Sequence, residues 1–304
     1  QSEHTVTSPM TLNISSFSNV NDLNKSVTPE LSDSDTTLLH LWAHSDKYRL
    51  GGSALYQSFK LYGGATPDID DANQFKVLFE ATQELLDKDF IEALHDISDG
   101  GLITSLIEMA LCSNQGLDIN LDYSDKEQLV PKLFSEEIGL VIEVKNEKLE
   151  SVRNYLNEKE LFFENIAKKN DKKKININCF KEEVFSEDLI TLFNQWSKVS
   201  HEIQKIRDSE DAALSEKEAY ENFDKFLTPE INFVVPKPDK NLFRKRPKIA
   251  LIREQGINGQ YDMAAALMEA GFEVKDVHMS EFGSSIKDLD LSLIHISEPT
   301  RLTS

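Results

Sequence analysis

The chain has 304 residues, 39% hydrophobic and 9% aromatic, enough apolar material to bury the core of one large or two ordinary domains. Its 53 acidic residues against 33 basic ones leave a formal net charge of −20, a surface that repels nucleic acid and anionic membrane. Two cysteines, Cys112 and Cys179, give neither a disulfide framework nor a paired metal site, and no run approaches a membrane span, so the cytoplasm is the expected compartment. A phosphate-bearing ligand would have to be met by backbone donors, a cation or a few placed basic groups.

In chain order, residues 11–17, TLNISSF, alternate like a strand, and the opening reads as the middle of something longer. After the turn material SVTPELSDSD comes an apolar segment at 38–42, and then RLGGSALYQSFKLYG. There Gly51 and Gly52 precede a periodic run through Leu55, Phe59 and Tyr62, the pattern of a glycine turn entering a helix. Residues 73–88, NQFKVLFEATQELLDK, place Phe75, Leu78, Phe79, Thr82 and Leu85 on one helical face. FIEALHDISDGG is a short apolar strand broken by a turn, and a helix is expected over 102–111. EEIGLVIEV is a strand, KLESVRNYLNEK a helix and FFENIAKK another strand.

DKKKININ, residues 171–178, suits a solvated hairpin connection. Residues 187–217 read as helical, anchored by Trp196 and Ile203, and the proline-bearing stretch after them suits a linker. PKIALIREQGINGQYDMAAALMEAGFEVKDVHMSE is then a strand, turn, helix and strand, the helix closed by Gly271, as a parallel α/β sheet begins. Strands separated by helices indicate an α/β or α+β fold class.

HDISDGGL, residues 95–102, is the stretch richest in chemistry. On one reading Asp99 caps the following helix while Asp96 and Ser98 satisfy turn amides. On the other, Asp96 offers a hard oxygen to magnesium and Ser98, with nearby amides, meets phosphate oxygens. The residues alone leave both open; His95 reads as packed. The glycines of LGGSAL and of REQGINGQ are weak phosphate signals and lack a dinucleotide pattern. Met109, Met263, Met268 and Met279 fall in apolar periodic contexts that suit a core, and neither cysteine sits in an elbow that would expose a thiolate.

The order TSPMTLNISSF, SVTPEL, LGGSAL, PDID, HDISDGGL with EMAL, EEIGLVIEV and PKIALIREQGINGQYDMAAALMEAGFEVKDVHMS resembles the large single-chain phosphoribosylformylglycinamidine synthases across nearly all of residues 5–283. That resemblance implies a ligase of purine biosynthesis, which uses ATP and glutamine-derived ammonia to convert formylglycinamide ribonucleotide to its amidine. Its core would have two related halves resembling aminoimidazole ribonucleotide synthetase. It implies the end of a synthetase N-terminal subdomain at 1–32, a synthetase C-terminal subdomain at 33–222, a linker at 223–246 and the opening of a flavodoxin-like class I glutaminase at 247–290. The resemblance makes Asp96 a magnesium ligand and Ser98 a contact of ATP or ADP, with the other magnesium ligands on the N-terminal subdomain. The glutaminase cysteine, histidine and glutamate would lie downstream, so no catalytic residue is assigned. Implied partners are nucleotide, purine-pathway intermediates and the remaining domains of the same polypeptide, with no nucleic acid and no membrane.

Residues 291–301, LSLIHISEPTR, resemble the translation of a transposon-based sequencing adapter, so 291–304 are expected to be foreign to the gene and to have no fold. The alternatives are a stand-alone, non-catalytic nucleotide-binding or subunit-packing module, and another ATP-binding relative such as aminoimidazole ribonucleotide synthetase.

Overall fold

The computed structural model describes residues 12–20, 22–43, 47–121, 126–180, 182–221, 230, 232–234, 245–254, 257–281 and 291–294. It divides into two units, Gln1–Phe226 and Leu227–Ser304. The linker expected at 223–246 and the tail at 295–304 lie largely outside the described residues.

Among the described residues the first unit has seven strands: β1 (Thr36–Trp42), β2 (Ala93–Asp96), β3 (Gly116–Leu121), β4 (Gly139–Lys145), β5 (Phe162–Asn170), β6 (Lys174–Cys179) and β7 (Glu182–Asp188). They lie in the order β2-β4-β1-β5-β3-β6-β7, antiparallel at every pair except β3 with β6. The helices are α1 (Ala54–Ser58), α2 (Ala72–Asp87), α3 (Gly101–Ser113), α4 (Leu129–Phe134), α5 (Leu149–Glu158), α6 (Leu189–Trp196), α7 (Lys198–Arg207) and α8 (Glu210–Glu221).

β1 shows why the apolar run at its centre becomes a strand buried on both faces. All seven of its residues are buried, and alternate side chains enter different cores. Leu38 joins Val141, Leu117, Ile119 and Ile166 with α3, whereas Leu39 and Leu41 join Ile142 and Val144 with α2 and α5. Glu143 on β4 is buried too, and is tolerated because it accepts from Thr36 Oγ1 at 2.6 Å, Ser32 N at 2.9 Å and Lys169 Nζ at 2.8 Å.

Toward β7 one face turns polar. The Asn170 and Asn176 amides both donate to Asp118 Oδ1, at 2.9 and 2.7 Å, and Asn178 donates to Asn120. β5 and β6 are not neighbours, since β3 runs between them. The segment at 171–178 is therefore not the expected hairpin: its turn crosses the start of β3, where a Cβ on Gly116 would come within 2.6 Å of the Lys174 backbone. β7, EEVFSED, is an exposed edge strand whose charge guards its open side against further pairing.

Several expectations need correction. Residues 12–20 form no strand, and Leu12, Ile14 and Phe17 are exposed; alternation makes a strand only against a neighbour, and no described strand pairs with it. α1 stops at Ser58, leaving Phe59 and Tyr62 exposed. On α2 the buried stripe is Leu78, Ala81, Thr82 and Leu85, displaced from Phe75 and Phe79, which remain at the surface. Leu189, Leu192 and Ala213 anchor the C-terminal helices, whereas Trp196 and Ile203 are each 56% exposed. α7 turns Gln204 and Lys205 toward Glu216 and Glu210 of α8, which carries Ile203 away from that contact.

In the second unit β8 (Lys248–Arg253), α9 (Gln260–Glu269) and β9 (Glu273–His278) form the expected parallel unit, with Gly271 in the left-handed region at φ 98° after the helix. β10 (Leu291–Ile294) pairs with β8 in parallel. The expectation of no fold from 291 onward is therefore corrected over these four residues, whose backbone pairs along the open edge of β8. Met109 is buried as expected, but Met268 on α9 and Met279, in the turn after β9, are exposed; for Met268, apolar periodicity along one short helix does not itself supply the layer that would cover it.

Candidate functional site

Four segments meet in the first unit: residues 49–54, 65–70, 95–101 and 132–137. β2 is an edge strand ending at Asp96, and the turn is fixed by Ile97 N donating to Gly139 O at 2.9 Å and Gly101 N donating to Ser98 O at 3.0 Å. Gly100 and Gly101 follow with φ 89° and 74°, values L side chains rarely adopt, and α3 begins. Its N-cap is Gly100, which has no side chain with which to cap the helix, so Asp99 does not take the expected role. Ser105 of α3 instead donates back to Asp96 O at 2.9 Å, tying the helix to the strand end.

The role expected of Asp99 falls to Glu136, which comes from the other side. Its Oε1 accepts Gly100 N at 2.8 Å and Ala54 N at 2.8 Å, so one carboxylate satisfies the first amides of both α3 and α1. Ser53 completes α1 by accepting Tyr56 N at 3.3 Å. Gly51 is needed for close approach, since its N donates to Ala65 O at 2.8 Å and a Cβ there would come within 2.6 Å of two carbonyl oxygens.

Glu137, 3% exposed, accepts Arg49 N, Nε and Nη2 at 3.0, 2.7 and 2.7 Å. Arg49 also donates to Asp70 Oδ2 at 3.1 Å and to Asp68 O at 3.0 Å, so PDID is tied to the residue before LGG. The hydrogen bond to Glu137 above all, with the charge of Asp70, raises the Arg49 pKa. The Asp70 carboxyl is held below its ordinary range by Lys47, with Arg49 adding to it.

Beneath this junction Lys132 of α4 is 1% exposed. Its Nζ lies 2.7 Å from Glu164 Oε1 and 4.3 Å from the centroid of the Trp42 ring. His40 Nδ1 reaches the same Glu164 oxygen at 3.2 Å. Burial alone would push the Glu164 carboxyl up, but the His40 hydrogen bond and the Lys132 charge outweigh it and the net shift is downward.

Asp96, Ser98 and Asp99 are exposed on the rim, the Asp96 side chain 71% so. His95 is packed: Nε2 meets Glu108 Oε2 at 3.1 Å, Glu108 Oε1 accepts Trp196 Nε1 at 2.9 Å, and Nδ1 lies 2.8 Å from Asp96 O. Among the described residues no three histidine, cysteine or acidic side chains are grouped to hold a metal ion. The rim thus supplies two exposed carboxylates, Asp96 and Asp99, and not a complete magnesium site. Cys179 is buried; Cys112 is exposed and its thiol is pushed up by burial, then by Glu108 and Glu30, which disfavours a thiolate.

Glu136, Glu137 and Arg49 were not singled out from sequence. The available signal was paired carboxylates directly before an apolar strand and an arginine before a glycine pair, which only contact geometry makes specific.

Residues 43–179 match the family described as AIR synthase related protein, C-terminal domain, and residues 246–296 match the CobB/CobQ-like glutamine amidotransferase domain. The chain therefore carries an AIR-synthase-related C-terminal domain followed by amidotransferase sequence. That pairing fits part of a phosphoribosylformylglycinamidine synthase. Solved structures similar to this chain include Thermotoga maritima PurL complexed with ATP, at 15% identity and TM-score 0.45, covering 55% of this chain and 27% of that one. The same protein complexed with FGAR gives 18% and 0.48, covering 56% and 30%. Escherichia coli HypE, a hydrogenase maturation protein, gives 19% and 0.38, covering 54% and 52%. The chain thus spans less than a third of either PurL chain. No helix among the described residues is long and apolar enough to cross a membrane.

Proposed function

We propose that this chain is part of an ATP-dependent amidotransferase of the phosphoribosylformylglycinamidine synthase kind, and that the rim at 96–98 forms one side of a magnesium-nucleotide site. Its parent would be a carbon–nitrogen ligase with glutamine as nitrogen donor, converting formylglycinamide ribonucleotide to formylglycinamidine ribonucleotide. The observation that carries the reading is the meeting of LGGSAL, PDID, HDISDGG and EEIG in the first unit, joined by Glu136, Glu137 and Arg49. In a chain of net charge −20, the exposed Asp96 and Ser98 side by side on the rim suit an anionic ligand that brings its own cation. The amidotransferase segment at 246–296 favours this parent over an aminoimidazole ribonucleotide synthetase.

Within this reading Asp96 is a magnesium ligand and Ser98 contacts nucleotide phosphate, with the remaining ligands supplied by another domain of the parent. Calorimetric titration with magnesium and ADP tests the assignment, comparing the chain with Asp96→Ala. The expected result is weak or absent binding by both; equal, tight binding by the two proteins would refute Asp96 as a ligand.

A further inference from the structure

Two glycine-bearing loops 46 residues apart donate to a single oxygen, and nothing in the nucleotide reading requires that arrangement. Glu136 Oε1 receives Ala54 N from the LGGS loop and Gly100 N from the DGG loop, both at 2.8 Å. The carboxylate is held rigidly. Ser135 before it is buried and its N donates to Pro131 O at 2.9 Å, while Glu137 after it is buried and clasped by Arg49. The backbone at 133–135 is pressed onto α3 so closely that a Cβ on Gly101 would fall within 2.7 Å of Phe134 C and Ser135 O. Lys132, at the start of the same segment, is locked to Glu164 on β5.

We propose that Glu136 is a positioning residue that couples the two loops into one unit, so that a displacement of the LGGS loop is transmitted to the DGG loop and to the rim carrying Asp96 and Ser98. An anion at a helix start ordinarily fixes that helix alone. Here the same oxygen closes both starts, so loosening it at one loop leaves the other amide without its acceptor. Gln57 and Ser58 stabilise only α1 locally, through Gly52 O and Leu55 O, and Thr104 bonds only within α3, to Gly100 O. Among the described residues Glu136 is the side chain bonded to both loops. The inference deepens the nucleotide reading, because the tied loops flank the residues that reading uses.

Amide hydrogen exchange by NMR on the full chain, without nucleotide, tests the coupling. Exchange at Ala54 and Gly100 is expected to accelerate together in Glu136→Ala, by about tenfold or more, while amides of β3 and β6 keep their protection. Glu136→Gln retains an Oε1 acceptor and is expected to restore most of the protection at both positions, which a general loss of packing would not do. Acceleration at one amide without the other, or equal loss of protection at both in the glutamine and alanine variants, would overturn the proposal. If Glu136→Ala does not fold, Glu136→Gln still decides, since unequal responses of the two amides in that variant contradict a shared acceptor. Equal, tight nucleotide binding by the wild-type chain and Asp96→Ala in calorimetry would refute the nucleotide reading of the rim and leave these exchange results standing.

Discussion

Lys132 lies fully inside the protein with its ammonium between Glu164 and the face of Trp42. An unpaired ion in such a place costs several kcal/mol, whereas a paired one costs little and fixes geometry. Lys132→Met should therefore destabilise the first unit by about 3 kcal/mol, because Glu164 stays behind without its cation. Lys132→Met combined with Glu164→Leu should recover most of that loss. Urea denaturation followed by the fluorescence of Trp42, with Trp196 replaced by Phe, measures both. The Glu164 carboxyl is held below its ordinary value in the folded protein, so its contribution is complete above the ordinary glutamate range and disappears as pH falls through the lower folded value. Stability that declines through that acid window in the wild-type chain and less so in Glu164→Gln is the expected pattern; identical acid profiles would contradict it.

The entry to α3 shows what an element needs beyond its own propensity. Both glycines there have positive φ, but they differ in surroundings: a Cβ on Gly100 meets the movable side chain of Thr104, and one on Gly101 meets fixed backbone of 133–135. Gly100→Ala should cost about 1–2 kcal/mol for the left-handed conformation alone, and Gly101→Ala clearly more. Equal midpoints in denaturant for the two variants would show that the close approach is unimportant. The glycine pair, the strand before it and the helix after it were legible in HDISDGGL, because φ freedom and apolar period are local properties. The cap was not legible: Asp99 stood at the right spacing, yet Glu136 holds the amide from a segment 36 residues away. The same limit explains Phe75 and Phe79 on α2. Periodicity located the helix, but the stripe it buries was set by the sheet beneath. The polar ladder of Asp118 with Asn170 and Asn176 depends on register among three strands and left no mark on any one of them.

For the whole molecule, two units with different sheets follow one another, a largely antiparallel seven-stranded one and a parallel three-stranded one. Helices alternating with strands announced both, and the two family matches fall one on each. On the proposed reading, the motif segments of the first unit converge on a rim that meets nucleotide phosphate through a metal at Asp96. Paramagnetic broadening of backbone amide signals by Mn2+ with ATP, recorded on the full chain, reads that contact even when affinity is weak. Broadening is expected to concentrate on the amides of 95–101, to be weaker at 51–54, and to be abolished by Asp96→Ala. Broadening centred elsewhere, or unchanged at 95–101 in Asp96→Ala, would contradict it.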